Sequence, residues 1–351
     1  MGPRTLRECL KVLEEQNLLH KVNVKVNKDT ELMPLVRWQF RGLPEEQRKA
    51  FFFDNVLFRS NFDGVHRAHR RVVSELVRRA REIGGSSIVV TFDPHPMRVL
   101  RPDVAQRLLT PLPVKLRLLE ETGVDAVLVL PFSRDLSLMT PLEFVEEVMV
   151  RALHAREVHE GFNFHFGHRA QGNVDRLAEF GREFGFEVKI YPALTIRGEV
   201  VSSSRIRELL AAGNVSRARH LLDRVFSIVS TPGRGRGYGL KYTVPTINLS
   251  RYDEMVPRNG VYITRTRVNG ETFDSVTNVG VRPTFGPDSF AIESHLLNFH
   301  PISLTAQTEV ELCFLRRLRD EQKFPNVEAL REQIAHDVKH ARRYFHLASK
   351  T

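Results

Sequence analysis

The stretch Leu57–Phe92, LFRSNFDGVHRAHRRVVSELVRRAREIGGSSIVVTF, decides the fold class. An apolar start runs into the turn NFDGVHRAH (Asn61–His69). RVVSELVRRAREIGG then places apolar residues at helical spacing and stops at a glycine pair, and SSIVVTF reads as a buried strand. Strand, turn, helix and strand in that order form the repeating unit of a parallel sheet. The pattern continues through DAVLVLPF, REVHEGF and EVKIYPAL. Residues 57–224 are therefore predicted to be an α/β domain with helices on both faces of its sheet. Such sheets bind ligands beyond the carboxyl ends of their strands.

The sequence changes character on either side. Residues 225–351 hold short strands (GVYITRTRV, SVTNVGV, ESHLLNF, TEVELCFL) between Gly, Pro and Asn turns, which predicts a small antiparallel β-barrel. A closing helix follows. Asn326 can cap it, and Val327, Leu330, Ile334, Val338, Ala341 and Phe345 fall on one face. Residues 1–56 read as helix, strand, helix. Thr5 and Glu8 make a capping box before Leu6, Leu10 and Leu13, while Val22, Val24 and Val26 alternate as in a strand. Leu32, Leu35, Val36 and Phe40 suggest the second helix.

The 351 residues suit two or three domains. With 42% hydrophobic and 27% charged residues the chain can bury a core and stay soluble, and no apolar run approaches the ~18 residues that would span a bilayer. The opening MGPRTLRECL lacks the apolar stretch of a signal peptide, and Leu6 breaks the myristoylation pattern. Cys9 and Cys313, far apart, support neither a disulfide framework nor a cysteine zinc site. The expected compartment is the cytoplasm, with no membrane partner. The net charge of +10 fits sites for polyphosphates, or a nucleic-acid footprint. No zinc-finger spacing or aromatic RNA-binding signature accompanies it, so no nucleic-acid partner is expected.

His66 and His69 share the first turn of the helix that follows the NFDGVHRAH turn. Free N–H groups and the helix dipole favour an anion there, and imidazoles can donate to a leaving pyrophosphate. On chemistry alone, surface histidines or a zinc pair remain alternatives, although zinc would need a third ligand. In VPTINL, Thr246 and Asn248 stand two apart on an extended stretch and can face one site. Their hydroxyl and amide oxygens suit Mg²⁺ on ATP phosphates, and an ordinary strand-edge turn is the alternative. Ser204 could equally be a helix cap, Arg207 an exposed helical arginine, and Glu293 a solvated strand carboxylate.

NFDGVHRAH resembles the HxGH-type signature of nucleotidyltransferases, in the form carried by prokaryotic bifunctional riboflavin kinase/FMN adenylyltransferases. TFDPHP (Thr91–Pro96), LLTPLPVKLRLLEETGVD (Leu108–Asp125), GFNFHFGHRAQG (Gly161–Gly172) and VSSSRIR (Val201–Arg207) agree with the family in order. VPTINL, NVGVRPTFG (Asn278–Gly286) and IESHLLNF (Ile292–Phe299) are similar to its kinase half. The resemblance implies a Rossmann-like domain followed by a riboflavin kinase barrel. It further implies that His66 and His69 catalyse adenylyl transfer, that Asn61, Asp63, Ser203, Ser204 and Arg207 hold ATP, and that Asn163 meets the flavin. In the kinase half it implies Thr246 and Asn248 on ATP and Mg²⁺, with Glu293 as the base toward riboflavin. The implied substrates are riboflavin, FMN and ATP.

Three features depart from the family pattern. Ser60 and Ala68 stand where the family has glycine, and Thr243-Val244 replace its Gly-Phe. A Cβ at Ser60 or Ala68 is expected to crowd ATP and slow the adenylyl step. A kinase with a degenerate adenylyl domain and a flavin-binding regulator without turnover are the alternatives. Residues 4–56 resemble the N-terminus of UbiD-like decarboxylases, from TLRECLKVLEE through LVRWQFRGLPEEQRKAFFFDNV. They read as a fused fragment or an added module with no activity assigned.

Overall fold

The computed structural model describes residues 19–21, 55–233, 246–281 and 290–349. They divide into two compact units. The first runs to residue 194, leaving out 107–109; the second comprises 107–109 and everything from 195 onward. The helices expected over Leu6–Leu13 and Leu32–Phe40, and the strand over Val22–Val26, lie outside the described residues. Among the described residues no helix is long and apolar enough to cross a membrane.

In the first unit, β2 (Asn55–Arg59), β3 (Ser86–Asp93), β4 (Ala126–Pro131), β5 (Ala155–Gly161) and β6 (Glu187–Tyr191) run parallel. With β1 (Leu19–Lys21) added antiparallel on β4, the sheet order is β1-β4-β3-β2-β5-β6. The order reverses at β2, so the carboxyl ends of β2 and β5 flank the crevice of a doubly wound sheet. Alternate residues of β2 serve opposite cores. Val56 and Phe58 pack with α1 (Arg67–Glu82) and α3 (Leu112–Glu120), following the short α2 (Pro96–Leu100). Leu57 faces the other way. There it meets α5 (Pro141–Phe144), which follows α4 (Arg134–Leu138) and continues as a π-helical segment (Val145–Ala152), and α6 (Val174–Phe184). Strands buried on both faces need the near-continuous apolar runs seen in the sequence.

The second unit holds a hairpin of β7 (Thr195–Ile196) and β8 (Glu199–Val200), then α7 (Ser203–Ala211) and α8 (Val215–Leu222). Six strands follow: β9 (Phe226–Ser230), β10 (Thr246–Asn248), β11 (Gly260–Val268), β12 (Glu271–Val281), β13 (Phe290–Leu296) and β14 (Val310–Arg319). Their order is β10-β13-β12-β11-β14-β9, all antiparallel. The curl is tied where β9 and β10 run out: Pro232 bridges Leu249, and Gly233 N donates to Asn248 O at 2.8 Å. Helix α8 packs on β14 and β9. Helix α9 (Val327–Ala348), capped by Asn326, covers Val261, Ile263 and Val276 with Ala341 and Phe345. Its first turn departs from the expected apolar face: Val327 and Leu330 are exposed, and contact with the sheet begins further along. Arg319 binds Asp337 with two nitrogens, fixing the helix to β14.

Inside the curl, Thr264, Thr266, Ser275, Thr277 and Ser294 are fully buried. Their hydroxyls form a closed five-membered cycle, Thr264–Ser275–Thr266–Ser294–Thr277–Thr264, with links of 2.7–3.0 Å. Each hydroxyl has one proton to give, so five donors meet five acceptors and none is left over. Thr266→Val leaves four hydroxyls sharing three links and one orphan donor. It should lower stability by about 1–3 kcal/mol, read from urea denaturation.

Candidate functional site

The turn leaving β2 carries backbone that its sequence does not favour. Phe62 (φ 48°) and Val65 (φ 37°) lie in the left-handed region alongside Gly64 (φ 91°). Left-handed backbone at non-glycine residues costs on the order of 1–3 kcal/mol each and persists only where neighbours enforce it. The neighbours are identifiable. Thr110 N donates to Asp63 Oδ1 at 3.1 Å, and Gly64 N donates back to Thr110 Oγ1 at 2.9 Å. Thr91 Oγ1 donates to the carbonyl of Asn61 at 3.3 Å, and Ser60 N donates to Val90 O at 3.1 Å. The Phe62 ring, fully buried, sits edge-on to Phe58 at 4.8 Å. Asp63 is itself buried, its carboxylate turned inward to hold the turn.

This clamp sets up the start of α1. His66 is its N-cap, with Nδ1 accepting from His69 N at 3.4 Å. With Nδ1 as acceptor, the neutral ring carries its proton on Nε2 and is a donor there. The His66 and His69 rings stack at 3.7 Å and 11°. No acidic residue occupies the first turn of α1, so no carboxylate of the helix's own first turn offsets its positive end. Among the described residues no group of three or more His, Cys, Asp and Glu side chains could hold a metal. Ser60 and Ala68 have no positive φ, and Ala68 lies within α1, so glycine is not needed at either for the chain path. Ser60 Oγ stands 3.4 Å from His69 Nε2.

Asn163 is exposed on the loop leaving β5, the other strand at the crevice. Ser203, Ser204 and Arg207 belong to the second unit, on the first turns of α7. The cap there is Ser202, whose side chain accepts from Arg205 N at 3.2 Å; Ser204, read as a possible cap, is the second helical residue and is exposed. Capping by Ser202 frees the Ser204 hydroxyl from that duty. Arg207 Nε donates to Arg107 O at 3.0 Å.

The kinase motifs converge on the outer face of the second unit's sheet. Asn248 lies directly opposite Glu293, and Glu293 directly opposite Asn278. Directly opposed residues share a face, with Cβ atoms about 4.5–5.5 Å apart. Thr246, opposite His295, is on the same face one step along. GRGRGYGLKYT beyond Gly233, and the part of NVGVRPTFG after Val281, lie outside the described residues.

Several contributors carried no role in the sequence reading. Thr110 and Lys115 both come from LLTPLPVKLRLLEETGVD, whose match to a motif was visible while its purpose was not. Buried Lys115 donates to Thr91 Oγ1 at 3.4 Å; burial lowers its pKa, and Asp63 and Asp93 oppose that shift. In the second unit, Glu321 lies over Gly280, where any Cβ would overlap its carboxylate, and accepts from Asn278 Nδ2 at 3.5 Å.

Comparison with known proteins accounts for both halves. Residues 54–205 match the family model for FAD synthetase, and residues 222–345 match that for riboflavin kinase. A bifunctional riboflavin kinase/FMN adenylyltransferase from Pseudomonas fluorescens is 35% identical over 80% of this chain and 90% of its own length. Its namesake from Escherichia coli K12 is 32% identical over 83% and 93%. A solved structure described as a macrolide-efflux protein from Streptococcus pneumoniae superposes with a TM-score of 0.75 at 26% identity, covering 84% of this chain and 95% of that one. A doubly wound nucleotidyltransferase unit followed by a flavokinase barrel is thus the class. The chain belongs to the bifunctional riboflavin kinase/FMN adenylyltransferase family.

Thr110→Val removes the acceptor for Gly64 N–H and loosens the turn that presents His66. A displacement of ~1 Å costs on the order of a hundredfold in rate. FAD formation should fall at least tenfold while riboflavin phosphorylation stays at the wild-type rate, measured by chromatography of the flavins.

Proposed function

We propose that the chain makes FAD from riboflavin in two ATP-dependent steps, one at each site. The observation that carries the first step is Glu293 set between Asn248 and Asn278 on one sheet face. Phosphoryl transfer needs positioning, charge neutralisation and a base near the hydroxyl. Glu293 takes the proton of the riboflavin 5′-hydroxyl as its oxygen bonds to the γ-phosphorus of ATP and ADP leaves. Thr246 and Asn248 present hard oxygens from one face of β10, a donor set that fits Mg²⁺, which would neutralise charge on the ATP phosphates.

In the second step a phosphate oxygen of FMN attacks the α-phosphorus of ATP, and pyrophosphate leaves. The N-terminus of α1, with His66 Nε2–H and His69 beside it, receives the negative charge that develops on the leaving group. Asn61, Asp63, Ser203, Ser204 and Arg207 hold ATP, Asp63 by fixing the turn that receives it, and Asn163 meets the flavin. We assign this step to residues 57–224, the kinase to 225–351, and no chemistry to 1–56. Consumption of ATP at both steps points to the cytoplasm.

The test is to incubate the protein with riboflavin, ATP and Mg²⁺ and separate FMN from FAD over time. FMN should accumulate first, because Ser60 and Ala68 narrow the approach of ATP. FAD formed as fast as FMN would remove the crowding argument, and no FAD at all would leave a kinase with a degenerate adenylyl domain. Glu293→Gln should abolish FMN formation yet still convert supplied FMN to FAD. Loss of both activities in a folded variant would overturn the two-site assignment. Removal of the residues before Arg48 should leave riboflavin phosphorylation unchanged.

A further inference from the structure

Arg59, the last residue of β2, stands where an apolar side chain would be expected. It shares its sheet face with Leu57, the side covered by α5. Its guanidinium carbon lies 4.8 Å from the ring centroid of Phe92, 5.0 Å from Phe144 and 5.1 Å from Phe164. Nε and Nη1 are closed off from solvent and have no hydrogen-bond partner among the described residues. A small cavity beside the side chain is lined by Val90, Val148, Met149 and Val158, which offer no acceptor.

The nearest buried acid does not pair with it. Glu160 Oε1 accepts from the backbone N of Arg59 at 3.2 Å; its carboxylate attracts the guanidinium but makes no hydrogen bond to Nε or Nη1. Burial raises the Glu160 pKa well above its ordinary value, against the opposing pull of Arg59. Burial also pushes Arg59 down to about 10, still charged at neutral pH. The phenylalanine faces attract the cation, but they leave two donors unmet.

Two of the three rings mark where the missing anion would come from. Phe92 is at the carboxyl end of β3 and Phe164 on the loop leaving β5, so the cage borders the crevice. His66 and His69 head α1 on the opposite face of the sheet. An ATP whose phosphates meet α1 leaves this side to the attacking substrate, whose phosphate brings the compensating charge.

We infer that Arg59 anchors the phosphate of FMN for adenylyl transfer, its guanidinium held among phenylalanines until that substrate arrives. The inference rests on the adenylyltransferase reading and adds a determinant of substrate affinity to it. The test is steady-state FAD formation by wild type, Arg59→Met and Arg59→Lys, with thermal melting of each. Arg59→Met should raise KM for FMN at least tenfold, leave KM for ATP within twofold, and raise Tm as the uncompensated cation is lost. Arg59→Lys should recover part of the FMN affinity. Unchanged KM for FMN in a folded Arg59→Met enzyme would overturn the role and leave Arg59 as packing alone. Equal rises for FMN and ATP would also overturn it. Absence of FAD from the wild type would instead overturn the adenylyltransferase reading, and this inference with it.

Discussion

Two hydrogen bonds between the Asp63-Gly64 pair and Thr110, one in each direction, hold the first unit's site in shape. Without them Phe62 and Val65 would relax out of the left-handed region, and the chain would enter α1 along another path. His66 caps that helix only because the turn delivers it there. Its Nδ1 is then occupied by the helix backbone, which settles the face its N–H presents. A buried carboxylate and a threonine 46 residues beyond Gly64 thus decide the chemistry of an imidazole at the head of the next helix.

The alternation of strands and helices was legible because parallel strands buried on both faces need long apolar runs, and SSIVVTF and DAVLVLP supply them. The placement of NFDGVHRAH at a strand-to-helix turn followed from that alternation. The mutual register of Asn248, Glu293 and Asn278 did not. Pairing is set by the whole sheet, and VPTINL and IESHLLNF are 40 or more residues apart in the chain. The turn's backbone was hidden as well, since nothing in Phe62 or Val65 announces positive φ. Ser202 rather than Ser204 caps α7 because several serines in a row offer equivalent oxygens, and only the helix start selects among them.

The apolar pattern also misled at the ends and centre of the second unit. Val327 and Leu330 fit a helical stripe, but α9 meets the sheet through Asp337, Val338, Ala341 and Phe345, so the stripe outruns its partner. Thr264, Thr266, Ser275, Thr277 and Ser294 invite the opposite error. Alternating hydroxyl residues read as the wet face of a strand, yet here they fill the dry one. Meanwhile the outer face, partly covered by α9, carries the reactive row.

That interior imposes a constraint on how the sequence can drift. A cycle in which every hydroxyl gives once and receives once has no spare member. Any single exchange for a hydrocarbon opens it into a chain with an orphan at one end, whereas exchanging all five removes the need for partners altogether. The intermediate stages are worse than either terminus, and their penalties do not add. A lineage with this core is therefore confined on its side of a valley. Serine and threonine can trade places around the ring, but the route to an oily barrel is closed to steps taken one at a time.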